Sequence, residues 1–106
     1  MSEFILPKPG HWDGEIRPLF LAPMSGVTDL PYRLLAKECG ADFTITEFTN
    51  STALTRDAAM SWRKMETCDD ENPFIPQIFG GVISDMALAA ELLEDTADLI
   101  DLNFGC

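Results

Sequence analysis

The sequence predicts an α/β fold: the N-terminal half, about four β/α units, of a TIM-type (β/α)8 barrel. Three observations carry that prediction. Apolar runs alternate with helical segments in the order β-α-β-α-β-α-β, which implies parallel strands joined by right-handed crossovers. No G-x-G-x-x-G or P-loop follows the first apolar run, which ends instead in Ala22-Pro23-Met24. That tips the choice from an open nucleotide-binding sheet toward a barrel. The chain has 106 residues, far short of the ~250 of a typical closed barrel.

Residues 1–16 read as an irregular arm, punctuated by Pro7, Pro9 and Gly10, with Trp12 as an anchor. Residues 17–106 read as the half-barrel. Pro18 to Ala22 is a short apolar strand running into the tight loop Pro23-Met24-Ser25-Gly26. Thr28 or Asp29 can cap the next helix, and Pro31 suits its first turn. Leu30, Leu34 and Leu35 supply its buried stripe, with Lys37 in the last turn and Gly40 just beyond it. Phe43 to Thr46 is a second strand, followed by Glu47 and Asn50. Residues 51–65 are weakly helical, with Trp62 and Met65 packing on the barrel wall, and 67–73 form a polar loop. Phe74 to Phe79 is a third strand, closed by Gly80-Gly81. Ser84 or Asp85 caps a helix whose Met86, Ala89, Ala90 and Leu93 share one face, opposite Glu91, Glu94 and Asp95. Asp98 to Leu102 is a fourth strand, leading into Asn103-Phe104-Gly105-Cys106.

Composition narrows the class. A hydrophobic content of 46% is that of a globular chain. No apolar run approaches the ~20 residues of a membrane helix, and Met1 to Gly10 lacks a signal-peptide core, so a cytoplasmic protein is expected. The net charge of −11 argues against this segment gripping nucleic acid directly, because phosphate contacts need Lys and Arg. Cys39, Cys68 and Cys106 show no C-x-x-C spacing and the single His11 is remote, so no metal site is expected.

In either parallel architecture functional groups gather beyond the C-terminal ends of the strands. Gln77 stands between Pro76 and Ile78 in an apolar strand. A buried amide must find partners: a neighbouring backbone, or the donor–acceptor edge of a planar heterocycle such as a flavin or pyrimidine. Asp101 and Asn103 alternate on the fourth strand and point the same way. Asp101 calls for pairing, with a basic residue outside this segment as the simplest partner, and Asn103 is better placed to meet a ligand. A lone Cys such as Cys106 is commonly a small buried hydrophobe. Beside Gly105 at a strand end, its thiol is also placed to give or take a proton near neutral pH.

These strand ends resemble those of one family. Leu21-Ala22-Pro23-Met24-Ser25-Gly26-Val27-Thr28-Asp29-Leu30-Pro31-Tyr32-Arg33 resembles the opening signature of the tRNA-dihydrouridine synthases. Thr46-Glu47-Phe48 looks like that family's second-strand end, and Pro76-Gln77-Ile78-Phe79-Gly80 its flavin-contacting third strand. Asp98 to Cys106 is similar to the start of its active-cysteine motif, with Phe104 where Met, Leu or Val is commoner. The resemblance spans residues 18–106.

It implies an FMN enzyme that reduces the C5–C6 bond of particular tRNA uridines to 5,6-dihydrouridine, recharged by NADPH or NADH. By position, the backbone of Ala22, Pro23 and Met24 together with Gln77 would hold FMN, Asn103 would help place the flipped uracil, and Cys106 would be the general acid. A Lys and a His at the flavin, the FMN-phosphate loops and a helical tRNA-binding domain are expected beyond residue 106. The chain is accordingly expected to be an N-terminal fragment, truncated at the active-site loop and inactive alone, with tRNA held mainly by the remainder. Two alternatives are another FMN barrel oxidoreductase of the dihydroorotate-dehydrogenase kind, and a non-catalytic half-barrel binding module.

Overall fold

A computed structural model describes residues 17–105; the expected arm over 1–16 and Cys106 lie outside the described residues. Strand β1 (Phe20–Leu21) pairs in parallel with β2 (Phe43–Thr44), Phe20 opposite Phe43 and Leu21 opposite Thr44. Their rings stack at 4.7 Å. Between them runs helix α1 (Leu30–Glu38). Asp29 caps it by accepting from the Tyr32 N–H, and Pro31 sits where a missing N–H costs nothing. Gly40 takes the left-handed conformation just past its end, at φ 110°.

The expected leucine stripe of α1 is only partly right. Leu30 and Leu34 are half-buried, but Leu35 is 58% exposed. The residue that α1 buries is Arg33, at 1% exposure. It occupies the inward position because a carboxylate waits there to neutralise it.

After β2 the chain continues as β3 (Thr49–Asn50), which runs straight into α2 (Ser51–Thr55). Asn50, expected as a strand-end residue, is both the last residue of β3 and the cap of α2, accepting from the N–H groups of Thr52 and Ala53. The weakly helical 51–65 resolves into α2 and α3 (Ala59–Arg63), broken at Asp57, whose φ is +56°. Strand β4 (Gln77–Phe79) is shorter than the expected 74–79, because Pro73 and Pro76 have no N–H for a ladder. The segment before it still pairs, through a parallel bridge from Ile45 to Ile75.

Helix α4 (Ile83–Leu93) starts earlier than expected. Its cap is Val82, without a side-chain bond, rather than Ser84 or Asp85. The Asp85 carboxylate is engaged elsewhere, accepting from Thr52 Oγ1 at 2.6 Å. From the first turn it still complements the helix dipole. Strand β5 (Asp101–Leu102) completes the described chain.

The three strands β3, β4 and β5 form a parallel ladder, with Thr49 opposite Ile78 and Gln77 opposite Asp101. The Ile45–Ile75 bridge joins it to the β1–β2 ladder. Across the whole, lateral order follows chain order without reversal. An open doubly wound sheet reverses at a switch point, and a barrel does not. The structure is therefore a mixed α/β fold of parallel strands, compatible with part of such a barrel. Its core lies between β4 and the helices: Leu54, Met65, Ile78, Ala89 and Leu93 are buried together, with Trp62, Met86, Ala97 and Ile100 packed against them.

Candidate active site at the strand ends

The loop after β1 is tied down by its own hydrogen bonds. The Met24 carbonyl accepts from the N–H groups of Val27 and Thr28, both at 3.0 Å, and the Met24 N–H donates to Thr28 Oγ1 at 2.9 Å. Both backbone groups of Met24, expected to help hold FMN, are thus engaged within the loop, and its side chain is exposed. The Gly26 N–H donates to the Glu47 carboxylate, fastening this loop to the chain end of β2.

Thr28 is fully buried, and its carbonyl accepts from Arg33 Nη1 at 3.0 Å. Arg33 also grips Glu71 with two bonds, Nε to Oε2 at 2.6 Å and Nη2 to Oε1 at 3.0 Å, and reaches the Glu66 carbonyl at 2.8 Å. Thr44 and Thr67 donate to the remaining lone pairs of Glu71. The pair is buried but every carboxylate lone pair is met, the condition under which a buried ion pair is tolerated. Sequence reasoning missed both partners. A signal existed: Leu30, Arg33, Leu34 and Lys37 recur at helical spacing on one face.

Lys37 follows on that face and donates to the carbonyls of Asp42 and Asn72. Burial pushes its amine below the ordinary 10.5, against the opposing pull of Glu71 and then Asp42.

The side chain of Gln77, 7% exposed, takes side-chain partners rather than the neighbouring backbone that was one of its two expected alternatives. Its Nε2 donates to Asp101 Oδ2 at 2.6 Å, and its Oε1 accepts from Asn103 Nδ2 at 3.3 Å. Asp101, for which a basic partner was expected, meets this neutral amide within the chain. Asn103 Oδ1 in turn accepts from the Gly105 N–H at 2.8 Å. Two of the predicted site residues, Gln77 and Asn103, are thereby brought together. Ala22, Pro23 and Met24 belong to the neighbouring loop, linked to the strand ends through Gly26 and Glu47, and Cys106 lies outside the described residues.

A cavity of about 370 Å³ lies between the start of α1, Glu47 and α3, lined among others by Arg63 and Lys64; it meets the strand-end groups only at Glu47. Lys64 Nζ stands 5.9 Å from the centre of the Phe48 ring, and Phe48 meets Phe79 edge-on at 5.4 Å. Among the described residues, no group of three or more His, Cys, Asp or Glu is placed to hold a metal ion, and no helix is long and apolar enough to cross a membrane.

The family model described as dihydrouridine synthase matches residues 20–106, through every element that builds these strand ends. The chain belongs to the dihydrouridine synthase family. It is 44% identical over 87 residues to a probable tRNA-dihydrouridine synthase of Rhizobium leguminosarum bv. phaseoli, covering 81% of this chain and 27% of that protein. It is 38% identical over 98 residues to tRNA-dihydrouridine synthase B of Klebsiella pneumoniae, covering 92% and 30%. A tRNA-dihydrouridine(47) synthase [NAD(P)(+)]-like protein of Oryza sativa subsp. japonica is 37% identical over 90 residues, covering 83% and 13%. The chain thus spans less than a third of the length of these relatives. Membership in this family sets aside the dihydroorotate-dehydrogenase alternative.

Proposed function

We propose that this chain supplies the opening strand ends of an FMN-dependent enzyme on a TIM-type barrel. The enzyme reduces particular tRNA uridines to 5,6-dihydrouridine with NADPH or NADH. The observation that carries the reading is the paired amides of Gln77 and Asn103 on adjacent parallel strands. Among the described residues, each side-chain nitrogen donates one bond and each oxygen accepts one. Each amide therefore keeps one N–H and one lone pair for a ligand. A flavin or uracil edge, with alternating carbonyl and N–H groups, needs that combination, so the residues present fit FMN.

Gln77 would hold the flavin edge, with Ala22, Pro23 and the Met24 side chain against the ring, and Asn103 would orient the uracil. When bound, reduced FMN supplies hydride to C6 of the uracil. Charge then develops toward C5 and O4, and the Cys106 thiol would deliver the proton to C5. A tRNA substrate fits a cytoplasmic protein, in which the exposed thiols of Cys39 and Cys68 stay reduced.

The test is Cys106→Ala in the full-length protein. Flavin reduction by NADPH should proceed at the normal rate. Dihydrouridine formation in tRNA should fall by about 10²–10⁴-fold, the usual contribution of a positioned proton donor. Undiminished dihydrouridine formation by the variant would remove the thiol from the mechanism. A protein that takes up no FMN would remove the flavin reading altogether.

A further inference from the structure

We infer that Asp101 is a positioning residue that sets the direction of both site amides and of the turn leading to Cys106. The inference rests on the proposed function for its consequence, but its geometry stands without a ligand.

Gln77 and Asp101 are register partners on adjacent parallel strands, so their side chains leave the sheet on the same side. A carboxylate can only accept. At 2.6 Å from Asp101 Oδ2, the Gln77 amide must therefore turn its nitrogen to Asp101 and its oxygen away. That oxygen then faces Asn103 and requires its nitrogen, at 3.3 Å. The Asn103 oxygen is left pointing along the chain, where the Gly105 N–H donates to it at 2.8 Å. Each hydrogen in this row points back toward one negative charge. An Asn or Gln amide has no preferred flip of its own, and only its network decides it. Here Asp101, which can only accept, fixes that sense from the strand, and the Gly105 N–H, which can only donate, agrees with it at the far end.

Gly105 belongs to the device. A Cβ there would stand 3.0 Å from Asn103 Oδ1, tighter than ordinary contact, so a side chain would press on the same oxygen that ends the row. The consequence for function is polarity. Asp101 fixes which donor and which acceptor each amide still offers a flavin or uracil, and it sets the peptide just before the proposed proton donor.

Asp101→Asn is the informative variant, because an amide at 101 both donates and accepts and no longer dictates a direction. Asp98→Asn is its control. Asp98 lies just upstream of β5 and accepts from the Phe74 N–H at 2.7 Å, outside the row. The first measurement uses the flavin-free full-length protein with ¹⁵N-labelled side-chain amides. Asp101→Asn should move the Gln77 and Asn103 NH2 resonances and the Gly105 N–H, and Asp98→Asn should leave all three in place. Unmoved resonances in Asp101→Asn would overturn the inference, as would equal shifts in both variants.

The second measurement is FMN affinity. Asp101→Asn should weaken it by about tenfold, the scale of losing one charge-assisted hydrogen bond, with Asp101→Glu recovering part of the loss and Asp98→Asn unchanged. Wild-type affinity in Asp101→Asn would overturn the functional half of the inference. Failure of the unsubstituted protein to bind FMN would instead sink the proposed function, and the amide resonances would still decide the row.

Discussion

Arg33 holds a full positive charge at 1% exposure, and its worth depends on Glu71 staying opposite. Removing one member leaves an uncompensated buried charge. Glu71→Ala should cost about 3–5 kcal/mol in urea unfolding. The paired change Arg33→Met with Glu71→Leu should recover most of it, because no charge is then stranded. Recovery no better than the single variant would show that the bonds to Thr28, Thr44 and Thr67 matter more than charge balance. Lys37 gives a pH dependence of opposite character. Its amine is depressed below the ordinary 10.5, so the unfolded chain holds that proton more tightly. Its charged form therefore lowers stability below the depressed folded value, and the deficit is relieved as pH rises toward 10.5. Comparison with Lys37→Gln should show the wild type gaining relative stability across that window; a flat difference would contradict the burial argument. These interior charges were hard to read from sequence because Arg and Glu are ordinarily surface residues, and Glu71 sits in what reads as a polar loop.

At the scale of elements, the packing of α2 on α4 depends on the end of β4. A Cβ at Gly80 would fall 2.2 Å from Ser51 Oγ and 3.3 Å from Met86 Sδ. Ser51 is fully buried and its hydroxyl has no partner among the described residues. Gly80→Ala should therefore destabilise by about 1–3 kcal/mol. Ser51→Ala should be neutral or stabilising, since it removes a polar group that is desolvated without a bond. The double variant should recover much of the Gly80→Ala loss, and strictly additive unfolding energies would show that the two sites do not meet. Gly80-Gly81 read from sequence only as the close of a strand, because a contact across sequence leaves no local pattern. What was legible at this scale was the alternation of strand and helix, the Asp29 cap, and the packing role of Met65 and Leu93. Short strands blurred the rest: Pro76 interrupts the third, and β3 is too brief to show a period of its own.

The whole molecule has seven lysines and arginines against eighteen acidic residues. Arg33 and Lys37 are bound to internal groups, so few cations face outward. The outward neighbours of β1 and β5 are also absent among the described residues, and Leu19, Phe20, Leu102 and Phe104 lie exposed near those two edges. Residues 1–106 prepared alone should associate as concentration rises, measurable by sedimentation, because unpaired strand edges with apolar flanks invite partners. A monomer at all concentrations would argue that these edges are self-sufficient. The candidate site was sought at the strand ends because parallel folds put chemistry there whatever the reaction. The row from Asp101 to Gly105 was not legible in the sequence, since it depends on which residues stand opposite one another. That brings back the handover at Ile45, where one stretch of chain serves β1 with Phe43–Thr44 and β4 with Thr49–Asn50. Pairing that steps forward along the strand in this way is a shear, and shear together with strand number sets the tilt and radius at which a sheet curls. On the barrel proposed above, the tilt of the wall that carries Gln77 would be set partly in Phe43–Asn50, a segment that contributes neither of the paired amides.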